Sequence, residues 1–285
     1  MAGLDSYVSA LYSFNNSPND RSDNTNNFTS IGSYDTTNKK FGVASANFSS
    51  GNWSAPGSSD FNFGSGDFTI DFWIRFNNTG TSNTMVSTDD WPYNDQAWWA
   101  KRQASGVLTF TVWRDAGDAS MNITTTTTPC EVAYQWFHIA IVRAGATPYY
   151  FVDGVSQSLT IGDMTGGDLG LNNNAVLKLG GYTYVGGGSG RMDELRISKG
   201  IARWTSNFTP PTSEYSEADI SGILSEESRI VIIDESTWIV EHNTVHSAGS
   251  YIIPAEGGGG LKTVMAYPTD TDKQMVSYNG VSPAA

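Results

Sequence analysis

The pair Asp193-Glu194 is the nearest approach in this sequence to two carboxylates that could share a reaction. Acid–base cleavage of a glycosidic bond needs two such groups on one face, about 5 to 10 Å apart. The alternation around Leu195 and Ile197 marks a strand, and adjacent strand residues point to opposite faces, so the pair cannot form unaided. Asp193 shares parity with Leu195 and Ile197, which places a carboxylate on the apolar side, where an unpaired charge is costly. It requires a partner. His138 shares parity with Trp136, Ala140 and Val142 and reads as a packed side chain. His242 and His246 are four apart, but in strand and turn context that spacing does not make the shared helical face of a zinc motif. Cys130 has no neighbouring base and reads as an inert thiol. As the only cysteine it also rules out an intrachain disulfide.

Aromatic residues beside small polar ones form a second constellation. The stretch from Asp89 to Gln96 carries Trp91 and Tyr93 among Asp and Asn, then runs into Trp98-Trp99, and Tyr182 and Tyr184 precede a glycine run. Aromatic faces flanked by Asn, Asp and Gln can stack on a sugar ring while hydrogen-bonding its hydroxyls. Trp91, Tyr93, Trp98, Tyr182 and Tyr184 are therefore the candidate ligand-binding residues. Strand neighbours alternate, so one of Trp98 and Trp99 must pack inside while the other covers the outer face.

The elements that position these residues are strands. Phe68, Ile70, Phe72, Ile74 and Phe76 alternate with period two and define a core face. Further strands are predicted at Leu108 to Trp113, Trp136 to Arg143, Tyr149 to Val152, Val176 to Leu179 and Arg191 to Ser198, with Asp153-Gly154 suited to a type I′ hairpin turn. Thirty glycines and 12% aromatic residues among 285 fit short strands joined by turns. After Pro210-Pro211 the pattern changes: residues 216–228 read as a polar linker, and five short strands follow in 229–285, at Arg229 to Asp234, Thr237 to His242, Ser250 to Ile253, Thr263 to Tyr267 and Gln274 to Tyr278. The formal charge of −13, with 29 acidic against 16 basic side chains, leaves no basic footprint for nucleic acid. The N-terminus, Met1 to Asp5, has neither a basic nor an apolar leader region, and no apolar run approaches the roughly 18 residues of a membrane span. The reading is of a chain that is neither exported by that route nor inserted into a membrane.

Three stretches carry a family resemblance. Phe63 to Phe76, reading Phe-Gly-Ser-Gly-Asp-Phe-Thr-Ile-Asp-Phe-Trp-Ile-Arg-Phe, resembles the central strand of laminin-G-like, concanavalin-type jelly rolls. Gln135 to Arg143 with Phe151-Val152-Asp153-Gly154 is similar in the same way. The closing stretch Gly190 to Trp204, followed by Thr205 to Pro211, resembles the version common in bacteriophage and environmental viral proteins. The fold implied is all-β: an antiparallel two-sheet jelly-roll sandwich over residues 1–215, with a second, small β module at 229–285.

The resemblance also sets functional expectations. Related jelly rolls often hold a structural Ca²⁺ with an early Asp-rich loop and an acidic residue of the closing strand; here those would be Asp20, Asp23 and Asp193. The hydrolases most like this fold carry a Glu-x-Asp-x-x-Glu strand that this sequence lacks, so binding rather than catalysis is expected. The implied role is a bacteriophage virion protein, either a tail-fibre or appendage subunit or a capsid decoration, assembled in the host cytoplasm and exposed on the particle. Its jelly roll would bind host-surface or environmental glycans weakly and multivalently. The C-terminal module would attach it to other virion proteins or form homo-oligomers. A purely architectural virion protein, and after it a glycan hydrolase, are the alternatives.

Overall fold

Twenty-three strands and a single 3₁₀ turn, Ser59–Phe61, make up the regular structure among the described residues. The computed structural model describes residues 2–49, 53–89, 97–115, 118–162, 176–181, 188–217, 220–224, 228–234, 240–246, 249–253, 262–268 and 276–281. The chain divides into two compact units, Tyr7–Glu214 and a second comprising Met1–Ser6 with Tyr215–Ala285. In chain order the strands begin with β1 (Ala2–Leu4), then β2 (Val8–Tyr12), β3 (Ser33–Asp35), β4 (Ser45–Asn47), β5 (Trp53–Gly57), β6 (Phe68–Phe76), β7 (Asn83–Asp89) and β8 (Ala97–Arg102). They continue with β9 (Leu108–Asp115), β10 (Asp118–Thr125), β11 (Trp136–Ala144), β12 (Thr147–Val152), β13 (Val155–Ser156), β14 (Leu159–Ile161), β15 (Val176–Leu179) and β16 (Gly190–Lys199).

The larger unit is a two-sheet antiparallel sandwich, as the alternation predicts. One sheet runs β14-β10-β9-β8-β7-β15-β5; the other runs β13-β12-β11-β6-β16-β4-β3, with β2 also paired to β16. Cross-strand partners share a face, so each register row is wholly inside or wholly outside. In the first sheet, Trp53, Leu179, Val86, Ala100, Phe110 and Ile123 form one inner row. Facing it from the second sheet is the row Tyr150, Ile141, Ile70, Ile197 and Ala10. All of these belong to one buried cluster that also holds Phe68, Phe72, Phe76 and Trp98. The hairpin at Asp153-Gly154 has φ of +48° and +74°, the two positive values a type I′ turn requires.

The smaller unit differs from the expected division. Ser216–Glu217 forms β17 and pairs in parallel with β1, while Ile220–Leu224 forms β18 and pairs with β21 (Gly249–Ile253). The described parts of the stretch expected as linker thus find ladder partners for their backbone and are strand. A separate four-stranded sheet follows, in which β19 (Ser228–Asp234) and β22 (Lys262–Pro268) are central, flanked by β20 (Val240–His246) and β23 (Val276–Val281).

One irregularity shapes the second sheet of the sandwich. Asp193 pairs with Trp73 and Arg196 with Asp71, so two residues of β16 oppose the single Phe72 of β6. Glu194 takes φ +49° at this bulge, a costly conformation for a residue other than glycine. The extra residue reverses parity. Asp193 therefore lies on the outer face with Trp73, not with Leu195 and Ile197 as simple alternation predicts. It is nonetheless fully buried, because the loop joining β3 to β4 folds over it: its Oδ2 accepts from the backbone N–H groups of Lys40 at 2.8 Å and Phe41 at 3.1 Å. Its Oδ1 accepts from Glu194 N at 3.1 Å.

Arg196, next on the same outer face, donates from Nε to Asp71 Oδ1 at 3.0 Å, and both side chains are fully buried. Burial alone would raise the Asp71 pKa, but the guanidinium and His138 outweigh it and hold the carboxyl at about 2. Trp204 and Phe208, stacked at 4.0 Å, cover this layer together with Ala140, Val142 and Phe151.

Asp193 behaves in the opposite way to Asp71. Burial lifts it to about 7, against the lowering effect of its three backbone donors. The folded chain then keeps a proton that the unfolded chain releases near pH 4, so stability is lost as pH rises from about 4 to about 7. Asp193→Asn is expected to flatten the urea-unfolding profile across that window, by up to roughly 1.4 kcal/mol per pH unit. Parallel profiles for the two proteins would contradict this assignment.

Candidate functional site

Next to each inner row of the seven-stranded sheet lies an outward one. Ser54, Lys178, Ser87, Trp99, Thr111 and Asn122 are register partners across six strands, in the order β5-β15-β7-β8-β9-β10. A parallel row is Thr84, Lys101, Thr109, Thr124 and Thr160. These two outward rows therefore carry hydroxyls, one amide and two lysines beside the half-buried indole of Trp99; Thr84, Ser87, Thr109 and Thr111 are buried. The composition is that of a surface able to present donors and acceptors beside an aromatic plane.

Trp98, expected among the binding residues, is not on this face. It is fully buried, its Nε1 donates to the Phe61 carbonyl at 3.1 Å, and its ring packs against Phe63 and Phe110. Alternation assigns the outward place to Trp99, and the sequence holds the signal: Trp99 shares parity with Lys101, whereas Trp98 shares it with Ala100. Trp91, Tyr93, Tyr182 and Tyr184 lie outside the described residues.

The donors expected for Ca²⁺ do not fit a common ion. Asp20 is saturated by its own loop: Oδ1 accepts from Leu11 N and Ser22 N, and Oδ2 from Ser22 Oγ and Asn26 N, all at 2.9 Å. Asp23 is exposed, and Asp193 is held by backbone donors under the Lys40-Phe41 loop. Among the described residues no three His, Cys, Asp or Glu side chains come together in a metal-holding group. The physical reason is that backbone N–H groups already supply what the two buried carboxylates need.

The remaining reactive types are structural. His138 is fully buried and packs edge-on against Trp73, Trp204 and Phe208. Cys130 is buried, which pushes its thiol up to about 12 and removes the nucleophilic thiolate at neutral pH. His242 and His246 lie on β20, in strand rather than helix.

A family model described as the concanavalin A-like lectin/glucanases superfamily matches residues 48–203. No curated protein matches the chain. Several solved structures share its fold at low identity. Domain 4 of an extracellular arabinanase from Geobacillus stearothermophilus, in complex with arabinotriose, is 19% identical with a TM-score of 0.50, over 70% of this chain and 95% of that one. The binding domain of Paraclostridial Mosquitocidal Protein 1 is 14% identical with a TM-score of 0.51, over 96% and 75%. The binding domain of botulinum neurotoxin DC, in complex with rat synaptotagmin II, is 12% identical with a TM-score of 0.51, over 96% and 70%.

Since Asp20 and Asp193 are satisfied by the chain, calorimetric melting with and without EGTA is expected to give the same midpoint. A midpoint lowered by the chelator and restored by added Ca²⁺ would overturn this.

Proposed function

The chain belongs to the concanavalin A-like lectin/glucanases superfamily, and from that premise we propose that its jelly roll is a lectin-like module binding glycans on the outer face of the seven-stranded sheet. The observation that carries this reading is the register row Ser54–Lys178–Ser87–Trp99–Thr111–Asn122. An indole offers its face to the C–H side of a sugar ring, while the exposed Asn122 amide and the part-exposed Ser54 hydroxyl and Lys178 ammonium of the same row exchange hydrogen bonds with ring hydroxyls. None of the six is a carboxylate, which favours binding over hydrolysis, because glycosidic cleavage needs an acid and a base or nucleophile. Single sites of this kind bind weakly and gain strength through multivalency.

The setting that suits such weak sites is a repeated array. The protein serves as a bacteriophage virion component, as an appendage subunit or a capsid decoration, with the jelly roll displayed and the second unit attaching it to virion partners or to further copies. Support comes from the closing stretch Gly190 to Pro211, which resembles the viral version of the fold. The small size of the second unit also favours this, since a module that buries a modest core without a disulfide gains from association.

Trp99→Ala removes the aromatic plane from an outward position and leaves the core row untouched. On a glycan array it is expected to lose most of the signal given by the wild-type protein; equal signals, or no binding by either, would overturn the glycan reading. Reconstruction of a particle that carries the protein is expected to show residues 215–285 against neighbouring subunits, and finding the jelly roll buried in the lattice with the second unit displayed would overturn the proposed arrangement.

A further inference from the structure

The second sheet of the sandwich carries a concavity of its own. On its outer face, within Tyr7–Glu214, an open cleft of about 480 Å³ is lined in part by Lys40, Trp73, Trp136, Asp153, Thr209 and Pro210. Its walls are tied down independently. The Lys40-Phe41 loop is anchored through its backbone to Asp193. Asp153 sits in the type I′ turn and its Oδ1 accepts from His138 N at 2.8 Å. The closing segment is fixed to that turn by Phe208 N donating to the Gly154 carbonyl at 3.0 Å, a contact so close that a Cβ on Gly154 would stand 1.9 Å from the Phe208 oxygen.

The lining groups are chemically complementary. Trp73 is only 6% exposed, yet its indole Nε1 has no hydrogen-bond partner, an expensive state for a buried donor. Lys40 Nζ rests 3.6 Å from the centre of the Trp73 ring, a cation–π contact. Its pKa is lowered by burial, against the field of Asp153 and Asp193. Half-buried Trp136 adds an aromatic plane and Thr209 a hydroxyl at the rim. The cleft thus combines aromatic surface, an ammonium donor and a carboxylate acceptor in a volume within the roughly 300–1,000 Å³ of small-ligand sites.

We propose that this cleft is a second binding site, on the sheet opposite the Trp99 face, and that it takes one neutral pyranose residue. A pyranose has an apolar C–H face to lie on an indole and a rim of hydroxyls that both donate and accept. Lys40 and Asp153 balance each other in charge, so charge-assisted hydrogen bonds form to hydroxyls without attracting a net charge. A carboxylated sugar would meet Asp153 and a chain of net charge −13. The proposal shares a ligand class with the Trp99 reading but does not rest on it. Two sites on opposite sheets would let one jelly roll bridge two glycan chains.

The test is a titration of the full-length chain, labelled with ¹⁵N at tryptophan, with the methyl pyranosides of glucose, galactose, mannose and N-acetylglucosamine in turn, read at the indole N–H resonances; Trp136→Phe identifies the Trp136 signal. At least one neutral pyranoside is expected to shift that signal saturably. Asp153→Asn, which keeps the turn and the acceptor for His138 N, and Lys40→Gln are each expected to weaken the apparent affinity about tenfold or more. Trp99→Ala should leave the titration unchanged, and its effect on the array then judges the other face separately. The proposal is overturned if none of the four sugars shifts the Trp136 signal, if both charge variants bind like the wild type, if Trp99→Ala abolishes the shift, or if methyl glucuronide binds more tightly than methyl glucoside.

Discussion

The bulge at Glu194 is the constraint on which the outer layer of the second sheet depends. One extra residue in β16 turns Asp193 and Arg196 to the same outer side, and each then organises a different part of that surface. Arg196 neutralises Asp71 within the sheet, and Asp193 captures the Lys40-Phe41 loop. At the same place β16 exchanges partners, pairing with β4 through Arg191 and Met192 and with β2 from Leu195 onward. A left-handed Glu is tolerated because the two strands on either side of the bulge and the loop above it all fix the backbone there.

The two carboxylates on that layer show how environment divides one residue type into two behaviours. Asp71 faces a guanidinium and stays ionised far into acid, whereas Asp193, hydrogen-bonded to three backbone N–H groups, is raised toward neutrality by burial. The loop it holds also carries Lys40, so a group that does not line the cleft sets the position of one that does. The closing segment has a comparable role. Its Trp204 and Phe208 cover Ala140, Val142 and Phe151, and its Thr209 and Pro210 continue along the cleft. The most recognisable motif of the chain is thus a packing device that also shapes the proposed cleft.

The sandwich presents two unlike exteriors. On the seven-stranded sheet, outward rows of Thr, Ser, Asn and Lys run beside Trp99. On the eight-stranded sheet, the face is roofed by chain, and the surface is a cleft between roof and sheet edge. This asymmetry follows from sequence at the simplest level: polar alternation in β7 to β10 needs no cover, whereas Trp73, His138, Ala140, Val142 and Phe151 on the outer side of the other sheet do.

The sequence by itself determined the strands of the sandwich, because period-two alternation in Phe68 to Phe76 and Trp136 to Arg143 is a local signal, and it determined the hairpin at Asp153-Gly154, because only certain residues accept two positive φ values. It also held the choice of Trp99 over Trp98, in the parity of Lys101, although both were plausible to a reader of composition alone. What only the tertiary structure decided was everything set by register. A single extra residue at Glu194 inverted the side of Asp193, and no alternation pattern reports a bulge. Of the expected metal ligands, Asp20 is served by donors close to it in the chain and Asp193 by the backbone of Lys40 and Phe41, distant in sequence. The cleft was invisible for the same reason: Lys40, Trp73, Trp136, Asp153 and Thr209 lie far apart along the chain and meet only after two sheets and a closing segment have fixed their positions.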